Sequence, residues 1–234
     1  MKRAFVRLLL WLMLLAVPAA AGVIFDNFPI DGTTIGFLIN GPQSISDSFS
    51  VGSGATVNGV NFGVWLFPGD SIVAVDWSIG TAPFGTSSGS GTAAVSSTNP
   101  HTGAQGYTVA TATFAFTDLN LAAGTYYLTL QNAVDSIGGF TGVFWDENSG
   151  PGVDAWYDDG GAIGRLSDPW VCAPNNNCRG TDSESFQILG SVQTIPEPST
   201  WALLGLGILA AFAPRRKAIR RAATHGSPLA QVGE

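Results

Sequence analysis

Apolar and polar residues alternate along several short segments of the chain. In residues 45–51, Ile45, Phe49 and Val51 fall on one side of an extended backbone, and three serines fall on the other. A period of two is typical of antiparallel strands that are buried on one face. The segment is therefore predicted to be a strand whose apolar side faces a core.

The same period recurs between residues 22 and 190. Turns rich in Gly, Pro, Asn and Asp separate the alternating segments, and none of the segments shows the period of an amphipathic helix. About nine to eleven such strands predict an all-β fold, an antiparallel jelly-roll-like β-sandwich over residues 22–190. The further strand signals occupy residues 59–70, 71–79, 107–116, 125–131 and 185–189. The residues expected to face the core in two of them are Val73, Val75, Trp77 and Ile79, and Tyr126, Leu128 and Leu130.

Residues 81–106 do not follow this alternation. They consist mainly of Gly, Ser, Thr and Ala, with few large apolar residues. Such low complexity predicts a long mobile loop or a ragged sheet edge rather than a regular strand.

The first 21 residues form a targeting segment. Three basic residues precede the ten apolar residues 8–17, and the small residues Ala19 and Ala21 follow. This is the pattern of a secretory signal peptide, and it is too short to span a membrane comfortably. We expect export across the inner membrane through the Sec translocon, with signal peptidase cleaving after Ala21.

The C-terminal segment has three parts. A linker, residues 191–198, ends in Pro196, Glu197 and Pro198, where the prolines exclude a helix. Residues 199–214 are predicted to form a hydrophobic helix, a marginal membrane span because its apolar part is about 20 Å long against a hydrocarbon core of about 30 Å. Residues 215–234 are a basic stop and a cytoplasmic tail. The apolar side chains of the span are Trp201, Leu203, Leu204, Leu206, Ile208, Leu209 and Phe212, and the stop begins with Arg215, Arg216 and Lys217.

The charge between these two ends is strongly negative. From Val23 to Ile195 the chain has thirteen Asp and two Glu against two Arg, a formal charge of −13. An acidic body repels phosphate groups, so nucleic-acid binding is not expected. The low share of charged residues, 12% of the chain, suits an extracellular β domain better than a helical cytosolic one.

The C-terminal segment resembles the PEP-CTERM sorting signal of Gram-negative bacteria. Residues 195–217 contain in order the Pro-Glu-Pro core, the Ser-Thr-Trp that follows, the apolar run with spaced glycines, and the basic stop. The resemblance implies processing by exosortase, a membrane-embedded cysteine transpeptidase-like enzyme, and an association with exopolysaccharide and biofilm. It also implies transient anchoring in the inner membrane before the protein reaches the cell surface or the extracellular space. The chain departs from the pattern by continuing beyond the basic stop, through residues 223–234.

The body itself offers few catalytic groups. Its stretches 61–80, 121–133 and 144–152 resemble the sandwich bodies of other proteins with this signal, which imply no established reaction. His101 lies in the low-complexity segment and His225 beyond the basic stop, so no histidine-based catalytic site is expected. We therefore expect a non-enzymatic surface or extracellular-matrix protein. The alternatives are a carbohydrate-binding adhesin and a secreted polysaccharide hydrolase, which would need carboxyl groups such as Glu147 and Glu184.

One acidic and aromatic segment, residues 144–161, is chemically richer than the rest. Carboxylates on glycine-rich loops suit Ca²⁺, and exposed aromatic rings can stack on sugars, so a structural Ca²⁺ site or a contact with polysaccharide is one interpretation. The other is that these are acidic turns beside core aromatics. No other cofactor is expected. The residues concerned are Asp146, Glu147, Asp154, Asp158, Asp159, Trp145 and Trp156.

The two cysteines, Cys172 and Cys178, are close in sequence in a chain expected to enter an oxidising compartment. We predict that they form an intramolecular disulfide. A zinc site is less suited to them because two thiolates would lack partner ligands.

Overall fold

The computed structural model describes residues 22–30, 32, 36–137, 142–148, 154–166, 183–193 and 204. The signal peptide, residues 194–198 of the linker with the Pro-Glu-Pro motif, the basic stop and both cysteines lie outside these residues. So does the hydrophobic helix, except for Leu204, which is helical. Among the described residues, no helix is long and apolar enough to cross a membrane.

The chain divides into two compact units, Met1–Gln193 and Thr194–Glu234. The described part of the first unit is all-β, and its strands pair antiparallel in two sheets, as predicted. The first sheet contains β1 (Gly22–Asn27), β2 (Gly36–Leu38), β4 (Ala55–Leu66), β7 (Ser96–Thr102), β8 (Thr108–Leu121), β10 (Phe144–Asp146) and β13 (Phe186–Val192). The second contains β3 (Ser44–Val51), β5 (Ile72–Gly80), β6 (Gly89–Ala94), β9 (Gly124–Asp135), β11 (Trp156–Asp158) and β12 (Ile163–Arg165).

Strand β4 organises the first sheet. It pairs with β8 along one edge, and along the other edge it pairs first with β13 and then with β10. Strand β1 extends the sheet beyond β13, and β2 extends it beyond β10. The second sheet has the order β12-β11-β3-β9-β5-β6.

The two sheets share one hydrophobic core. Phe49 of β3 contacts Phe186 of β13 with ring centroids 6.4 Å apart, and Trp77 of β5 approaches Phe114 of β8 at 6.3 Å. These contacts connect opposite sheets, as in the face-to-face packing of a sandwich. The finer prediction of a jelly-roll connectivity stays a prediction.

The apolar positions predicted to face the core are buried in β3 and β9, but their opposite faces are partly covered as well, since Ser46, Ser48 and Thr129 are also buried. Ile45, Phe49 and Val51 are buried, as are Tyr126, Leu128 and Leu130. In β5 the inward assignment of Val73 was wrong, because its side chain is 47% exposed. The pairing of β5 with β9 shifts register on both sides of Ala74, and this irregularity takes Val73 out of phase with the buried Val75 and Trp77.

The low-complexity stretch is more regular than expected. Residues 89–102 form β6 and β7, which pair with β5 and β8 at the edges of the two sheets. The prediction of a long loop was therefore wrong for this part, whereas the alternative of a sheet edge agrees with the positions of β6 and β7. Backbone hydrogen bonds to an existing strand do not require large apolar side chains, and β7 is exposed at all seven positions.

Candidate functional site

The carboxylates of the acidic and aromatic segment, residues 144–161, lie in two different environments. Asp154 forms a salt bridge with Arg165 at 3.3 Å and accepts a hydrogen bond from the Tyr127 hydroxyl at 3.1 Å. Asp158 is the last residue of β11 and Asp159 follows it, and their carboxylates accept backbone N–H groups of the turn residues 160–162. Asp146 and Glu147, in contrast, are fully buried.

The five carboxylates therefore do not converge. Within the part of the chain that the structure describes, no three Asp, Glu, His or Cys side chains are arranged to hold a metal ion. The turn carboxylates already have backbone partners, so this segment gives the expectation of Ca²⁺ no support.

The two tryptophans of the segment also differ. Trp145 is fully buried against Phe62 and Phe186, and its indole N–H donates to the carbonyl of Ser185 at 3.0 Å. It is thus a core residue and offers no ring face to a sugar. Trp156 is partly exposed, with the guanidinium of Arg165 5.1 Å from its ring centroid.

A buried polar junction lies where β4 changes partners. The backbone N–H of Gly63 donates to the backbone carbonyl of Ser185 at 3.0 Å, and the backbone N–H of Ser185 donates to the backbone carbonyl of Asp146 at 2.8 Å. The backbone N–H of Asn148 donates to the Ser183 carbonyl at 2.8 Å. Between these hydrogen bonds, the backbones of Glu147 and Glu184 lie opposite each other as an antiparallel pair. The ends of β10 and β13 are therefore joined to each other beside Gly63.

Gly63 is required by this arrangement. The Ser185 hydroxyl donates to Asp146 Oδ2 at 3.0 Å, and the Trp65 indole N–H donates to Asp146 Oδ1. A Cβ on Gly63 would come within 2.3 Å of the Ser185 Oγ and 2.6 Å of the Asp146 Cβ. Glycine leaves the space that this side-chain pair occupies.

Asp47 of β3 connects the second sheet to the junction. Its Oδ2 accepts the backbone N–H of Glu184 at 2.7 Å and the hydroxyl of Ser183 at 3.2 Å. Its Oδ1 accepts the backbone N–H of Ser48 at 2.6 Å. The carboxyl group thus joins the two sheets by hydrogen bonds inside the core.

The electrostatics of the junction favour protonated carboxyls. Burial raises the pKa of Asp47 to about 7, although its hydrogen bonds with Glu184, Ser48 and Ser183 act in the opposite direction. The pKa of Glu184 is also raised well above its usual range, first by burial and then by the neighbouring carboxyls of Glu147, Asp47 and Asp146. Both carboxyl oxygens of Glu184 are buried without a hydrogen-bond partner among the described residues.

The carboxyl groups of this junction lie inside the protein. Glu147 and Glu184, the two glutamates of the body, are paired through their backbones, and both are fully buried. Asp47 was missed by the sequence reasoning, although it occupies a core-facing position between Ile45 and Phe49. An acidic residue in the apolar phase of a strand was the signal that could have identified it.

Comparison with known proteins identifies one part of the chain. Residues 194–217 match a family model described as the PEP-CTERM protein-sorting motif. No curated protein and no solved structure matches the chain. The matched residues begin directly after Gln193, whose backbone N–H donates to Gly54 at 2.8 Å.

Proposed function

Because this chain carries the PEP-CTERM sorting motif, and is thereby marked as an exported substrate of exosortase, we propose that its body is displayed as a non-catalytic protein of the cell surface or extracellular matrix. In this proposal, exosortase removes the C-terminal segment and the β-sheet body acts in an exopolysaccharide or biofilm matrix.

The observation that carries the proposal is the position of the motif. The last of the described strands ends at Val192, and the matched residues begin at position 194. A cut near Pro198 would therefore leave every described strand intact. This order of folded body and removable tail is what a sorting signal requires.

The non-catalytic role is supported by the surroundings of the candidate catalytic groups. Glu147 and Glu184 are buried in the core, and the ring of the exposed His101 lies 3.4 Å from the backbone carbonyl of Asn99 rather than beside a described carboxylate that could orient it. A general acid or base must come within hydrogen-bond reach of its substrate. The hydrolase alternative therefore receives no support from these three residues.

Fractionation of a host that contains exosortase tests the proposal. The wild-type body is expected outside the inner membrane and shortened at its C-terminus. The triple variant Pro196→Ala, Glu197→Ala, Pro198→Ala should stay in the membrane fraction at higher mass. Pro228→Ala, beyond the matched residues, is the control and should behave as wild type. Release of the triple variant to the same extent as wild type would contradict the proposal.

A further inference from the structure

A polar surface lies on the face of the second sheet opposite the core. The strand registers place Ser90, Ser78 and Thr129 side by side across β6, β5 and β9. The next row consists of Thr92, Asp76 and Gln131 on the same three strands. Directly paired residues of neighbouring strands share a face, so these six side chains form one polar floor.

The segment between β5 and β6 closes this floor on one side. The backbone N–H of Phe84 donates to the Ser46 hydroxyl at 3.3 Å, and Ser46 in turn accepts from Thr129 at 3.0 Å. Phe84 has a φ of +58°, which L-residues rarely adopt, and it lines the resulting cavity. The cavity has a volume of about 290 Å³, and its lining includes Ser90, Gly91 and Thr92 of β6.

Several polar groups of the cavity are available to a ligand. The side chains of Ser78, Ser90 and Gln131 make no hydrogen bond to any described residue. Asp76 is held in place, since its carboxylate accepts the Thr92 hydroxyl at 2.5 Å and the Asn132 amide at 2.9 Å. Hydroxyls and an amide can donate and accept, while the carboxylate accepts only.

This combination fits a sugar. A pyranose presents hydroxyls that need both donors and acceptors, and the ring of Phe84 can cover its C–H face. The cavity lies near the lower end of the volumes of ligand sites, which suits one sugar ring. Among the described residues of the body, the one Arg or Lys is Arg165, which lies on β12 at the opposite edge of this sheet. Asp76 in the cavity would repel an acidic sugar.

We propose that the cavity beneath Phe84, between β6, β5 and β9, binds a single neutral sugar unit of a polysaccharide. The inference rests on the proposed matrix role, for which it names the ligand class. Binding is measured on purified protein, so it can fail while sorting succeeds, and the reverse.

The test is calorimetric titration of the full-length chain in a detergent without sugar headgroups. The probes are glucose, galactose, mannose and N-acetylglucosamine, with glucuronic acid as the acidic comparison. At least one neutral sugar should bind, and Gln131→Ala should weaken that binding about tenfold by removing a hydrogen-bonding group at the floor. The matched control is Gln187→Ala, a glutamine on a strand of the first sheet, which should leave the affinity unchanged.

Three outcomes would overturn the proposal. They are no binding of any neutral sugar, tighter binding of glucuronic acid than of every neutral sugar, and equal affinities of the wild type and Gln131→Ala. Gln131 is exposed, so folding should not depend on it. A second variant, Ser90→Ala, changes another exposed residue and should weaken the binding of the same sugar.

Discussion

Gly63 is the residue at which the long strand β4 passes from one partner to the next. Its missing side chain makes room for the contact between Asp146 and Ser185. The sequence shows a glycine within a strand, a common sign of close approach, but it does not show which side chains approach. That information comes from the pairing of distant strands.

Gly63→Ala should destabilise the protein by about 1–3 kcal/mol, because the added Cβ must displace the Asp146 and Ser185 side chains. Thermal unfolding of the full chain measures the effect. Gly52→Ala is the control, since a Cβ there meets no atom within 4 Å. If the two variants unfolded at the same temperature, the close approach at Gly63 would be disproved.

Asp47 gives the stability a pH dependence of known sign. The folded protein holds the Asp47 proton more tightly than the unfolded chain does, since folding raises the pKa from 3.8 to about 7. Folding therefore takes up a proton between these values, and the free energy of unfolding falls as the pH rises through this window. A pKa shift of this size corresponds to a change of at most about 4 kcal/mol in the free energy of unfolding across this pH window.

We expect Asp47→Asn to reduce this slope between pH 4 and pH 7, because the neutral amide has no proton to lose. Denaturant unfolding at several pH values measures it. Asp118→Asn, at an exposed position of β8, is the comparison and should leave the slope as it is. A wild-type stability that rises from pH 5 to pH 8 would have the opposite sign and would refute this account of the junction.

At the scale of elements, the alternation with a period of two identified the central strands better than it identified the strands at the edges of the sheets. Regular stretches such as 45–51 and 125–131 reveal their buried face because large apolar residues occupy most of the alternate positions, with Asp47 as the exception. Strand β6 has no such residues, and its place in the sheet depends on hydrogen bonds to β5. Bulges, such as those beside Ala74, follow from tertiary pairing and leave no distinct mark in the local pattern.

The candidate sites could be predicted only in part for the same reason. The sorting motif is a contiguous stretch and can be read directly from residues 194–217. The buried junction, in contrast, joins segments distant in sequence. Local composition grouped Asp146 with Asp154 and Asp158, whereas the fold groups it with Ser185 and Trp65.

The loop between Cys172 and Cys178 is predicted to be closed by a disulfide. In the chain-entropy model, a bridge over so short a loop contributes about 2–3 kcal/mol to stability. Peptide mapping without reductant, after blocking of free thiols, should recover the two cysteines in a linked peptide. Recovery of both as blocked thiols would disprove the bridge.

At the scale of the whole molecule, the two ends and the body have separate tasks. The C-terminal motif marks the chain for export, the basic and apolar N-terminus is predicted to be its signal peptide, and the acidic body between them has a formal charge of −13 from Val23 to Ile195. The C-terminal motif implies exosortase as the processing partner. Since the described strands end at Val192, sorting and folding should be independent.

The central claim is that the mature protein is the body without its C-terminal segment. Intact-mass measurement of the protein released by a host with exosortase tests it most directly. We expect a mass that corresponds to a chain beginning at Gly22 and ending near Pro198. A released protein that still contains residues 201–221 would contradict the claim.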